Sequence, residues 1–223
     1  WMMATGEAVS VDLVNDWLAL YPKIPVVNAY GPTEAADDVI QCNIKQPIGA
    51  GQRSVPIGKP LANLNVFVVD DQLRLVPAGI PGEICISGVG VGEGYWQNPE
   101  KTAEAFVANP FECGSTHTTM YRTGDLGRWL ADGTIEYLDR VDNQVKIRGF
   151  RIELGEVEAL LLSVEHVQEG VVVFGKRLGG DDNEIGALVS LTGELDLCGL
   201  IQSLKARLPG YMVPSKIKVY EGE

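Results

Sequence analysis

The residues best placed to do chemistry lie in one run, Asn28, Ala29, Tyr30, Gly31, Pro32, Thr33 and Glu34, directly after an apolar stretch at Ile24 to Val27. Gly and Pro at a strand's end force the chain into a loop, and such loops are a common place for ligands in α/β proteins. A phenol, a hydroxyl and a carboxylate are therefore expected together at one strand end. More familiar signatures do not fit. Six residues separate Gly51 from Gly58 where a P-loop has four, and Pro60 follows Lys59 where Ser or Thr should stand. Gly88, Gly90, Gly92 and Gly94 alternate without the dinucleotide spacing, so they read as a glycine-lined loop against a neighbouring backbone. With His117 and His166 alone and no GxSxG elbow, a hydrolase triad is unsupported.

The elements that must position this loop can be read from periodicity. Ser10 is placed to cap a helix whose apolar positions Val11, Val14, Trp17, Leu18 and Tyr21 recur at three and four residues, ended by Pro22. Between Pro56 and Tyr137 come short strands rich in Val, Ile and Phe, at 66–70, 83–87, 120–123, 128–130 and 134–138, broken by Gly, Pro and Asp. They predict a β-rich, barrel-like region. One helix interrupts it, beginning at Asn98 with Pro99 in its first turn, and Asp132 with Gly133 makes a hairpin turn. Past the polar bridge at 139–144 the expectations are a strand near 144–147, a helix at 154–162, strands at 170–175 and 184–191, and a helix from 197 to 208. The fold class is α/β of an α+β multidomain kind, divided into 1–141 and 142–223.

Composition narrows the partners. Thirty acidic against 18 basic residues among 223 give a formal net charge of −12, which would repel a phosphate backbone, so no nucleic acid is expected. The apolar runs are far shorter than the roughly 20 residues a bilayer needs, so no membrane partner is expected. Cys42, Cys85, Cys113 and Cys198 are widely spaced with no CxxC pair, which argues against a zinc cluster or a disulfide frame and for a reducing cytoplasm. The opening Trp1, Met2, Met3, Ala4, Thr5 and Gly6 resembles the middle of a strand more than a signal peptide, and predicts that the chain belongs to a larger sheet.

Four runs in fixed order rise above this background: NAYGPTE at 28–34, GEICISGVGVGEGYWQNPEKT at 82–102, YRTGDLGRW at 121–129 and RVDNQVKIRGFRIELGEVE at 140–158. Together, and over essentially the whole chain, they resemble the adenylation domains of nonribosomal peptide synthetases, within the adenylate-forming superfamily. The resemblance implies the end of a large ATP-binding core with its β-barrel-like subdomain, followed by a small α+β carboxy-terminal subdomain. It implies ATP and Mg2+ as cofactors, an amino acid substrate, and a peptidyl carrier protein whose phosphopantetheine thiol accepts the acyl group.

The residue types make chemical sense of that reaction. Phosphoryl transfer needs a cation against developing charge, and Glu34 would hold the magnesium while the Thr33 hydroxyl donates to phosphate. Tyr30 offers a flat face for adenine, Tyr137 matches the second wall, and backbone at Gly6, Glu7, Asn28, Ala29 and Gly31 would line the nucleotide. Asp125 in the TGD turn resembles the ribose-binding aspartate, which can accept from both ribose hydroxyls, and Arg140 would contact the ribose or phosphate region. Asp142 matches the hinge about which the small domain rotates. Lys146 and the loop Arg148, Gly149, Phe150 would face the active site in the thiolating pose, with Gly149 admitting the pantetheine arm. By motif alignment the visible substrate-pocket positions are Met3, Thr5, Ala29, Asp37 and Asp38, whose paired carboxylates suit a cationic or hydrogen-bonding side chain.

Departures from the pattern matter equally. The family's phosphate loop, the aspartate that grips the α-amino group and the terminal NGK-type lysine find no match in this sequence, and Asp139 stands where the family more often has glycine. The chain alone is therefore expected to be catalytically incomplete and to act with an upstream half of the adenylation domain. A noncatalytic adenylation-like docking module and a stand-alone acyl-CoA ligase are the alternatives.

Overall fold

The computed structural model describes residues 1–49, 52, 54–111, 117–142, 144–147, 149–176, 183–193 and 197–220. Arg148 and Cys113 therefore lie outside the described residues. The chain divides into two compact units, Trp1–Asp142 and Asn143–Glu223.

The first unit opens with strand β1 (Met2–Ala4), helix α1 (Val11–Leu20) and strand β2 (Val26–Tyr30). Helix α1 starts where a cap is available, the Ser10 hydroxyl accepting from Leu13 N at 3.2 Å, and it buries Val14 and Leu18 on one stripe. Strand β2 is buried along its whole length, as expected of a strand flanked on both sides: β1 pairs with it in parallel and β3 (Ile40–Ile44) antiparallel, with the short β4 (Lys59–Pro60) beyond. Asn28, Ala29 and Tyr30 belong to β2 itself rather than to the loop after it.

A second, antiparallel sheet follows, in the order β5 (Leu64–Val69), β6 (Gly82–Gly88), β8 (Thr119–Trp129), β7 (Phe106–Ala108), with β9 (Ile135–Arg140) also paired to β8. Helix α2 (Pro99–Ala105), capped by Asn98 accepting from Lys101 N at 3.1 Å, leads into β7. Two strands expected at 120–123 and 128–130 are one: β8 runs through the intervening Gly124, and a bulge absorbs the extra residues. The barrel-like expectation resolves into this open sheet. Among the described residues it does not close on itself, and its edge instead touches the first sheet where Gly58 bridges Ile135. Gly58 is required there, since a Cβ would stand 1.9 Å from Gln41 O. The core between the sheets gathers Tyr30, Val39, Ile40, Ile57, Ile84, Ile86 and Ile135.

The second unit carries a hairpin of β10 (Gln144–Ile147) and β11 (Phe150–Glu153), helix α3 (Leu154–Leu162), and a three-stranded sheet β12 (Val167–Lys176), β13 (Asn183–Leu191) and β14 (Lys216–Val219), with helix α4 (Leu197–Arg207) between the last two strands. Its own core joins Ile152, Val157, Leu161, Ile185, Val189, Leu200 and Leu204. No helix among the described residues is long and apolar enough to cross a membrane.

Candidate active site

Because β1 and β2 run in parallel with Ala4 beside Asn28, the segments that leave them, Gly6–Glu7 and Gly31–Glu34, emerge at the same carboxyl edge, the usual ligand edge of such sheets. After Tyr30 the chain doubles back sharply. Val39 N donates to Tyr30 O at 2.8 Å and Asp37 N to Pro32 O at 3.3 Å, and a Cβ on Gly31 would lie 1.4 Å from Asp37 O. Ala36 and Asp37 complete the reversal in the left-handed region, at φ 61° and 72°. The result is a 3-10 turn over Thr33–Ala35 that leaves Thr33 exposed and Glu34 half-buried.

A second loop comes from the bulge in β8. Register between β6 and β8 shifts between Glu83 and Cys85, so that Thr123, Gly124 and Asp125 are accommodated opposite Ile84. Gly124 takes φ 71°, the Thr123 hydroxyl donates to Ile84 O at 2.7 Å, and Asp125 N donates back to that hydroxyl at 2.9 Å. Glu83 fastens the bulge from outside: one oxygen accepts from Gly124 N at 3.1 Å, the other from Arg122 Nε at 3.0 Å and Nη2 at 2.6 Å.

The bulge delivers Asp125, 4% exposed, to the end of β2. The Tyr30 hydroxyl donates to its Oδ2 at 2.5 Å, and Arg140 Nη1 donates to Oδ1 at 2.7 Å. Arg140 is itself forked onto Asp142, with Nε and Nη2 each 2.6 Å from a carboxylate oxygen. Burial alone would favour loss of the guanidinium proton, but Asp142 and Asp125 outweigh it and hold Arg140 as a cation. Burial first, and then the Asp125 charge, push the Tyr30 phenol well above its ordinary range, so it remains a donor. A carboxylate can accept from a pair of vicinal hydroxyls. Tyr137 packs beside Tyr30 with ring centroids 6.2 Å apart and planes tilted by 41°. That is a direct aromatic contact, not two facing walls, so a flat ligand would lie against the pair instead of between its members.

The remaining expected positions fall as follows. Thr5 donates to Asp38 Oδ1 at 3.4 Å, Ala29 is buried, Met3 and Asp37 are exposed. The Asn28 side chain is tied into the structure through its amide nitrogen, which donates to Pro56 O at 2.9 Å. In the second unit Lys146 lies in β10 opposite Arg151, Gly149 takes φ 79° with open space where a Cβ would be, and Phe150 stacks on Tyr211 at 4.0 Å and 7°. Among the described residues no group of three or more His, Cys, Asp or Glu could cage a metal ion. The lone Glu34 carboxylate with the Thr33 hydroxyl suits instead a Mg2+ that arrives on phosphates and keeps most of its waters.

The comparisons with known proteins bear on the same residues. The model of the family described as "AMP-binding enzyme" matches residues 1–96, which include β1, β2 and the Thr33–Glu34 turn. Among curated proteins the chain is 45% identical over 221 residues to tyrocidine synthase 1 of Brevibacillus parabrevis, and 44% identical over 214 residues to tyrocidine synthase 2 of the same organism, each alignment covering 96% of the chain. The chain belongs to the AMP-binding, adenylate-forming family. It spans 19% and 6% of those two relatives. Among solved structures this family member superposes on IdnL1 with TM-score 0.87 and 29% identity, and on the Vibrio cholerae adenylation domain AlmE, determined in complex with glycyl-adenosine-5'-phosphate, with TM-score 0.83 and 27% identity. Each match covers 99% of the chain, and 45% and 41% of the respective structure.

Two residues of this adenylation-type chain were not visible as site residues from sequence. Glu83 and Tyr95 both lie inside the 82–102 run, but their partners, Gly124 and Glu34, are 41 and 61 residues away. Only the pairing of β6 with β8, and the fold-back of the glycine-rich loop, bring them into contact.

Proposed function

We propose that this chain is the downstream part of an amino-acid-activating adenylation domain, which forms an aminoacyl adenylate from ATP and passes the acyl group to a carrier protein's phosphopantetheine thiol. The observation that carries this reading is the joining of Tyr30 to Asp125 by a 2.5 Å hydrogen bond, because it sets an aromatic face, a ribose-type carboxylate and the Thr33–Glu34 turn at one strand end. In this reading Asp125 accepts from the ribose hydroxyls, Arg140 orients Asp125, Tyr30 and Tyr137 support adenine, and Gly6, Glu7, Asn28, Ala29 and Gly31 offer backbone. Thr33 donates to phosphate and Glu34 takes the nucleotide-borne Mg2+, which supplies positive charge against the phosphoryl oxygens. Met3, Thr5, Ala29, Asp37 and Asp38 contribute to the amino acid pocket.

The unit beyond Asp142 turns about that residue between the two half-reactions and presents Lys146, Gly149 and Phe150 for transfer. The carrier partner is supported by the likeness to NpsA-ThdA, an artificially fused adenylation-PCP di-domain from Klebsiella oxytoca, at 27% identity and TM-score 0.81. In this reading the chain acts together with an upstream half of the adenylation domain.

The test is amino-acid-dependent ATP–pyrophosphate exchange across an amino acid panel, on the chain alone and on a version extended at both ends into a whole adenylation domain. Exchange only in the extended protein is expected. Silence in a folded extended protein would favour a noncatalytic docking module, and exchange driven by fatty or aryl acids alone would favour an acyl-CoA ligase.

A further inference from the structure

Glu34 is held from a second direction. The glycine-rich segment 88–95 folds over the Thr33–Ala35 turn, with Gly92 N donating to Glu34 O at 2.9 Å. A Cβ on Gly90 would lie 2.9 Å from Ala35 O, so small residues are needed for this approach. The fold-back carries Tyr95 to the carboxylate, where its hydroxyl donates to Glu34 Oε1 at 2.7 Å.

Tyr95 is itself fixed in place. Its backbone N donates to Thr102 Oγ1 at 2.9 Å, its ring meets Phe106 edge-on at 5.5 Å and 77°, and its hydroxyl is hydrogen-bonded with that of the buried Tyr121 as well. A glutamate has three rotatable bonds, and a carboxylate that swings freely must be ordered each time it engages a cation. With Oε1 tethered, that ordering is already in place, and Oε2 is held in one direction.

We propose that Tyr95 is a positioning residue for Glu34, setting its carboxylate to receive the nucleotide-borne divalent cation. This inference rests on the reading in which Glu34 engages Mg2+, and Tyr95 acts through Glu34 alone. Outer partners of metal-binding carboxylates typically alter metal affinity by 10- to 100-fold when removed.

The experiment uses the extended adenylation domain and a fluorescent ATP analogue whose equilibrium binding is followed as Mg2+ is titrated in, and again in EDTA. Tyr95→Phe deletes one oxygen and keeps the ring packing. It is expected to raise the Mg2+ midpoint about tenfold, while metal-free nucleotide binding stays put. Glu34→Gln should raise the midpoint at least as far, and Tyr95→Phe added to it should raise it no further, because the tyrosine has lost what it positions. An unmoved midpoint in Tyr95→Phe, a purely additive double variant, or a lowered melting temperature with the midpoint unchanged would overturn the positioning role while leaving Glu34's role intact. If Glu34→Gln itself leaves the midpoint unmoved, the cation reading of Glu34 falls, and this inference with it.

Discussion

At the scale of single residues, the site is organised around one buried carboxylate that is never left to solvent. Asp125 receives a phenol on one oxygen and a guanidinium on the other, and Arg140 is clamped in turn by Asp142. Buried charges persist only when paired and hydrogen-bonded. The two donors are not equivalent for binding, because the guanidinium supplies charge and the phenol supplies direction. In the extended domain Asp125→Ala should weaken ATP binding strongly, since it removes the acceptor and leaves Arg140 half-satisfied. Tyr30→Phe keeps the ring and the ion pair and loses one hydrogen bond to a charged group, which costs about 1.5–3 kcal/mol of folding stability, and it should weaken ATP binding less than Asp125→Ala because the carboxylate remains. Calorimetric titration with ATP distinguishes them. Unchanged affinity in Asp125→Ala would remove the ribose assignment, and equal losses in the two variants would mean that Tyr30, not the carboxylate, is the main contact.

At the scale of elements, local chemistry made some features readable and hid others. Helix α1, helix α2 and the turn at Asp132–Gly133 were legible because their signals are short-range: Ser10 and Asn98 cap helices three residues ahead, and Gly133 takes φ 75° beside its own aspartate. Strand β3, the continuity of β8 and the strand β14 were not, since a strand's partner, and hence its identity, is chosen by distant sequence. The TGD run read as a turn because Gly followed by Asp breaks a strand locally. It is a bulge because β6 supplies Glu83 and Ile84 to hold it. For the same reason the Tyr30–Asp125 contact, 95 residues apart, could be expected only from resemblance. The bulge makes a testable distinction between two glycines with similar dihedrals. Gly124 at φ 71° has Arg140 Nη2 2.9 Å from where a Cβ would stand, whereas Gly149 at φ 79° has nothing within 4 Å. Both alanine variants should suffer backbone strain of about 1–3 kcal/mol. Only Gly124→Ala should also weaken ATP binding, by pushing Arg140 Nη2 off Asp142 and so loosening the guanidinium that holds Asp125. Denaturant unfolding together with nucleotide titration would show it, and matched effects on binding in both variants would argue that strain alone is responsible.

At the scale of the whole molecule, the division after Asp142 separates two units with independent hydrophobic cores, one built around Ile84, Ile86 and Ile135 and the other around Val157, Leu161 and Leu204. Units that each bury their own apolar side chains can move without unfolding, which the proposed use of one adenylate pocket for two steps requires. The residues assigned to adenylate formation, Thr33, Glu34, Asp125 and Arg140, all belong to the first unit, and Gly149 with Phe150 belongs to the second. Damage should therefore sort by unit. Replacing Gly149 by leucine places a Cβ where nothing lies within 4 Å, so at that atom the cost is the strain of a positive φ and not a clash. In the extended domain it should leave amino-acid-dependent pyrophosphate exchange within about twofold, because the residues assigned to adenylate formation belong to the first unit. It should slow acyl transfer to the carrier by an order of magnitude or more, if the pantetheine arm passes this backbone; on the scale where a factor of ten is about 1.4 kcal/mol, that is less than one lost charged contact. Single-turnover transfer from preformed adenylate, measured beside exchange, separates the two steps. Equal losses in both would place Gly149 in the fold of the second unit and not in the path of the arm.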